Sequence, residues 1–302
     1  PITKQFQKTL YVPGTTNYIQ AQLVLMSAAL RENNEAQALV CINGVCNSCR
    51  DETWKPYYQA LHFYLSGDFT SAKNTLADCQ SPLKEIGAAC SLLRLGKPAV
   101  AVHMLGKAFE LFPTRETPVR TPLDAPLFTA RPIGWKHVTT YNLGLSYLLA
   151  NKPVEAHQVF ESLTDYYRYS PMLWYRLANC CIVQHYNTTR ANSMRFKHVG
   201  TGAARHIVID HPPAQPTPPL TLALGLQYAR NMATLLKGST NHRMLLAMYY
   251  AMGYLAFWLE DNALSKFCWT HVHNNSKGQL RLHALIFLLS SHCRLGEMKE
   301  VK

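Results

Sequence analysis

Leu143, Gly144 and Tyr147 are matched in position by Leu177, Ala178 and Cys181, each 34 residues further along (143 to 177, 144 to 178, 147 to 181). A recurring period of this length limits the fold more than any composition does. Each period has to be one small helical unit that cannot cover its apolar side alone, so neighbours must stack. The same phase returns elsewhere. In LSGDFTSAKNTL a glycine, an aromatic, an alanine and a large residue stand at Gly67, Phe69, Ala72 and Leu76, and RLGKPAVAVHMLGKAFELFP carries Gly96, Ala101, Leu105, Ala108 and Pro113 in that phase. In LGLSYLLANKPVEAHQVF, Asn151 replaces the turn glycine and Ala156 and Phe160 follow. Moving 34 residues upstream from Gly67 and Ala72 reaches Asn33 and Ala38; downstream, Gly253, Ala256, the EDN turn, Ser265 and Trp269 form a later unit, and Gly296 opens another turn.

This order resembles the turn and second helix of the tetratricopeptide repeat. It predicts an all-α fold, a tetratricopeptide-repeat superhelix of antiparallel helix pairs, with turns near Asn33, Gly67, Gly96, Asn151, Glu260 and Gly296. Small residues let the two helices of a pair approach closely, and large ones fill the space between pairs. The chain is 48% hydrophobic and 16% charged, which supplies a core and excludes global disorder. Repeats are expected over 1–112, 137–185 and 220–302, the last of these truncated. Two insertions interrupt them. Residues 113–136 hold five prolines, which helix interiors do not tolerate. Residues 186–219 are basic and then proline-dense, and are the segment expected to be mobile.

Thirty Lys and Arg against 18 Asp and Glu give a net charge of +12, which raises the question of nucleic acid. The basic residues are dispersed. Arg190, Arg195, Lys197 and Arg205, all in the second insertion, are the candidate RNA contacts, and binding through them would be weak, salt-dependent and sequence-tolerant. Nine cysteines without a regular framework read as thiols, and with no long apolar run the expectation is a cytoplasmic protein, also nuclear, with no membrane partner. The chain opens on proline, as an excised or processed fragment would.

Nothing in the sequence supplies catalysis. G-x-S-x-G, the P-loop, G-x-G-x-x-G after a strand and H-E-x-x-H are all missing, and no carboxylates pair for acid–base work. No motif asks for a cofactor. CINGVCNSC offers Cys41, Cys46 and Cys49, but a structural zinc site needs a fourth ligand and none follows nearby; the HVH at 271–273 is weaker still. No metal is expected. The reading is a binding protein and not an enzyme.

In this repeat class the concave face is lined by positions 2, 5, 9 and 12 of each first helix. With units starting at 53, 82, 137, 171 and 246, the candidate partner-binding residues are Trp54, Tyr57, Tyr64, Tyr141, Leu145, Leu148, Tyr175, Ile182, Tyr250, Tyr254 and Phe257, with Leu61, Ile86 and Leu93 beside them. Such a surface is apolar and aromatic and calls for a protein partner.

The run from Tyr141 to Ile182 resembles the core of the subunit-ten family of the Ccr-Not deadenylase complex, most specifically in LWYRLANCCI, where Trp174, Arg176, Leu177, Ala178, Cys180, Cys181 and Ile182 match residue by residue. HVGTGAARHIVI and LQYARNMATLL are similar to the two elements that follow in that family. The resemblance covers roughly 137–302. It implies a non-catalytic scaffold in mRNA deadenylation, turnover and translation repression, whose partners are subunit eleven and the N-terminal region of scaffold subunit one. The alternative is a helical-repeat adaptor that binds RNA through its basic insertions.

Overall fold

A computed structural model describes residues 16–32, 34–49, 54–77, 79, 83–111, 134–191, 195–199, 206–210 and 220–297. Helices α1 (Thr16–Arg31), α2 (Glu35–Ser48), α3 (Lys55–Leu65), α4 (Phe69–Ala77), α5 (Lys84–Arg94), α6 (Pro98–Leu111) and α7 (Trp135–Leu149) belong to a first compact unit, Pro1–Ala150. The second, Asn151–Lys302, holds α8 (Pro153–Glu161), the short α9 (Thr164–Tyr167), α10 (Pro171–Ala191), α11 (Leu222–Leu235), α12 (His242–Trp258), α13 (Asn262–Asn275) and α14 (Gly278–Leu295).

The turns follow from backbone chemistry. Gly67, Gly96, Asn151, Glu260 and Gly296 have φ of 87°, 71°, 60°, 64° and 74°, the left-handed state that stops a helix. The turn near Asn33 lies outside the described residues. In four of these turns the next residue donates its N–H back to the helix end: Asp68 to Phe63 O, Lys97 to Leu92 O, Asp261 to Ala256 O and Glu297 to His292 O, at 2.9, 2.9, 3.0 and 3.0 Å. The second helix of each pair then begins two residues after the turn, at Phe69, Pro98, Pro153 and Asn262. Side-chain caps complete several starts: the Asn34, Asp68, Asn241 and Asp261 side chains accept from the N–H groups of Gln37, Ser71, Met244 and Leu264.

In the first unit Leu23, Ile42 and Val45 form the core between α1 and α2, and Leu83, Ala89, Leu92, Ala101 and Leu105 form that of α5 and α6. In the second, Ala178, Leu226, Ala229 and Leu255 join α10, α11 and α12, and Trp269, Val272 and Ala284 join α13 to α14. All nine cysteines are free thiols.

The insertion at 186–219 contains regular structure: α10 runs into it as far as Ala191 and an antiparallel ribbon follows, β1 (Arg195–Val199) with β2 (His206–Asp210). Ile207, Val208 and Ile209 are three consecutive β-branched residues, a strand signal that the neighbouring prolines mask in the sequence. On α14, Leu285, Leu288 and Leu289 are half-buried, and Leu282 and Ile286 are exposed. Most of the first insertion, 112–133, lies outside the described residues. No described helix is long and apolar enough to cross a membrane.

Candidate functional site

In the first unit α3, α4, α5 and α7 enclose a cleft of about 270 Å³. Its walls come from Tyr57, Leu61 and Tyr64 of α3, Ile86 and Cys90 of α5, and Val138 and Asn142 of α7. Position counting finds the α3 wall and Ile86, because residues 57, 61 and 64 share one face of a helix. Cys90 is position 9 of the unit starting at 82, though it is not among the candidates, and Asn142 falls outside the counted positions. Tyr141 and Leu145 are half-buried on α7 without lining the cleft, and Leu148 is buried.

The groups in this cleft stay neutral. Burial, then the nearby Cys90 and Cys79 thiols, push the Tyr57 hydroxyl up to about 12. Burial pushes the Cys90 thiol up to about 11 and raises Tyr64 as well. A thiol held protonated is a poor nucleophile. What the cleft offers a ligand is apolar surface with hydroxyl, thiol and amide groups at its edges, and its volume falls below the range of ordinary small-molecule pockets, roughly 300–1,000 Å³. It suits one bulky side chain.

Tyr57 serves two purposes. It packs against three buried clusters of the first unit as well as lining the cleft. Trp54, in the turn before α3, meets Tyr57 edge-on with ring centroids 5.9 Å apart and packs against two of those clusters. Tyr64 stands differently: half-buried and edge-on to Phe69 at 5.3 Å, whose other neighbour is the Arg94 guanidinium at 5.0 Å.

In the second unit the predicted Tyr175, Ile182, Tyr250 and Tyr254 are all half-buried on α10 and α12. Residues that position counting leaves out tie Tyr250 and Tyr254 to neighbouring helices. His185 Nδ1 shares a hydrogen bond with the Tyr254 hydroxyl at 3.1 Å, and the Tyr250 hydroxyl one with His283 Nδ1 at 3.3 Å. Trp258 lies 5.0 Å from the His185 ring, and Phe287 6.1 Å from Tyr254. Burial, then Tyr250, pushes Tyr254 up to about 12, and burial lowers His185, so both are neutral near pH 7. Phe257 is buried, edge-on to Phe287 at 4.9 Å and covered by the Arg294 guanidinium at 4.0 Å. Leu148 and Phe257 are therefore core residues, Phe257 because Phe287 and Arg294 cover its turn of helix. Trp258 and Tyr186 are the exposed aromatics on these two helices, at 40% and 57%.

Of the candidate RNA contacts, Arg190 is exposed in the last turn of α10, Arg195 and Lys197 stand on β1, and Arg205 lies outside the described residues. Cys41 and Cys49 are buried and Cys46 half-buried, burial and then Cys49 raising Cys46 to about 11; among the described residues no three metal-ligating side chains converge.

No protein-family model and no curated protein sequence matches the chain. Solved structures do. A PilF structure of Pseudomonas aeruginosa is 16% identical with a TM-score of 0.50, over 87% of this chain and 94% of that one. The Cut9–Hcn1 hetero-tetramer of the APC/C is 12% identical with a TM-score of 0.55, over 97% of this chain and 51% of that one. Helix pairs, left-handed turns and these likenesses agree: the chain has the all-α fold of tetratricopeptide-repeat proteins.

Proposed function

We propose that this chain is a non-catalytic scaffold subunit of the Ccr-Not mRNA deadenylation complex, and that its helical-repeat surface holds subunit eleven and the N-terminal region of subunit one. The observation that carries a protein-binding role is the neutral, mostly apolar cleft between α3, α5 and α7, sized for a single anchoring side chain of a partner. The choice of complex rests on the run LWYRLANCCI and on the elements around it. In the structure Leu173, Leu177, Ala178, Cys180 and Cys181 of that run are buried, so what the resemblance shares is largely the packing surface of α10.

A mostly apolar cleft lets a partner's anchor bury its surface, and such anchors dominate binding energy, at about 2 kcal/mol or more each when truncated. Cut9, with the same fold, is part of a hetero-tetramer with Hcn1. Co-expression of the full chain with subunit eleven and the subunit-one N-terminal region tests the reading. A stoichiometric complex that survives nuclease and high salt is the expected result. Failure of all three to co-purify would overturn it.

A further inference from the structure

The β1–β2 ribbon has two strands, and no third strand joins it among the described residues. Each strand thus has one edge of N–H and C=O groups outside the ladder. An isolated two-stranded ribbon is marginal in water, and the natural cover for such an edge is another extended strand. The two edges differ in sequence. β1 reads RFKHV and carries Arg195 and Lys197, the kind of charge that keeps edges apart. β2 reads HIVID, with an uninterrupted β-branched centre.

Laid antiparallel against a second copy of itself, β2 has a single register that uses all five residues, centred on Val208. That register sets Val208 opposite the partner subunit's Val208 and Ile207 opposite the partner subunit's Ile209. It also sets His206 opposite the partner subunit's Asp210, and two-fold symmetry repeats this pairing of a base with an acid. Within its own ribbon Asp210 already stands opposite Arg195, so the acid falls between two basic positions. The same operation on β1 would set Lys197 against its own copy, which is repulsive. We propose that β2 is a homotypic docking edge, and that two copies of this chain associate into a four-stranded antiparallel sheet ordered β1-β2-β2-β1.

The test is analytical ultracentrifugation of the full chain across a concentration series, with far-UV circular dichroism to confirm folding. Wild type should show a monomer–dimer equilibrium. Val208→Glu puts an acid at the register position opposite Lys197 within its own ribbon, which favours the ribbon, but sets it against its own copy in the dimer. It should raise the dimer dissociation constant by about tenfold or more, as should His206→Asp. In an Arg195→Glu background, which keeps an opposite charge across the ribbon from position 210, combining His206→Asp with Asp210→Lys restores opposite charges across the dimer and should return the dissociation constant to within a few-fold of wild type. A chain that is monomeric at every concentration, a dimer unmoved by the two single changes, or a failure of the double change to rescue would each overturn the proposal.

Discussion

Gly253 and Trp269 touch where α12 crosses α13: a Cβ on Gly253 would stand 3.0 Å from Cε2 and 3.1 Å from Nε1 of the indole. The indole cannot give way. It is fully buried, stacked on Phe287 at 4.7 Å and edge-on to Tyr250 at 5.2 Å. Gly253→Ala gains helix propensity of about 1 kcal/mol but overpacks this contact, at a cost of roughly 1–3 kcal/mol. The net should be destabilising, read as a lower midpoint in urea with an unchanged slope. An equal or higher midpoint would mean that α12 and α13 approach less closely than described.

Much of this was legible in the sequence, for a physical reason. The small residues of the repeat mark places where two backbones nearly meet, and Gly253 with Trp269 is such a place. The left-handed turns were legible too, even where Asn151 and Glu260 stand in for glycine, because the 34-residue phase fixes the turn whatever residue fills it. Burial was less legible. Counting along one helix says which residues share a face but not what the rest of the fold covers, so Leu148 and Phe257 were grouped with Tyr64 although both are buried. His185 and His283 stand at none of the counted positions, and only their three-dimensional neighbours single them out.

The two non-glycine turn residues should respond differently to glycine. Glu260 holds φ at 64°, a state that costs an ordinary residue about 1–2 kcal/mol. Glycine removes that strain while adding about 0.4–1 kcal/mol of chain entropy to lose on folding. Glu260→Gly should therefore stabilise by roughly 0.5 kcal/mol. Asn151 tolerates the same φ better, and its Oδ1 accepts a hydrogen bond from Asn187 Nδ2 at 2.9 Å. Asn151→Gly should be neutral or destabilising. Thermal melts of the two variants side by side decide the matter; equal stabilisation by both would show that the Asn187 contact contributes nothing.

Acid should weaken the second unit through His157. Its Nε2 lies 2.9 Å from the Tyr228 hydroxyl, and burial holds its pKa below the ordinary 6.5, only partly offset by Glu161. The folded state therefore favours the neutral ring and the unfolded state takes up protons first. Stability from this group is complete above the unfolded value near 6.5 and is lost as pH falls from there toward the lowered folded value. His185 and His271, also lowered by burial, act in the same direction. Melting temperature should drop between pH 7 and pH 5.5, and His157→Gln, which keeps a polar group in reach of Tyr228, should flatten that slope. An identical slope in the variant would assign the acid sensitivity to other groups.

The most informative pair of substitutions is Tyr57→Ala and Tyr64→Ala, because the two residues line one cleft but differ in what else they touch. Tyr57 is wedged among three buried clusters, so its loss removes core packing and should cost about 3 kcal/mol or more, the scale of an aromatic-to-alanine change in a core. Tyr64 is half-buried and meets Phe69 of α4 edge-on, so its truncation should cost about 1 kcal/mol of stability. If the cleft seats a partner's anchor, Tyr64→Ala should leave the melting curve nearly intact while weakening capture of co-expressed subunit eleven or the subunit-one N-terminal region by roughly tenfold or more. Tyr57→Ala should lose both together. Binding that is unchanged in a well-folded Tyr64→Ala variant would move the partner site off the cleft, to the aromatic faces of α10 and α12, where Tyr186 and Trp258 become the residues to truncate next.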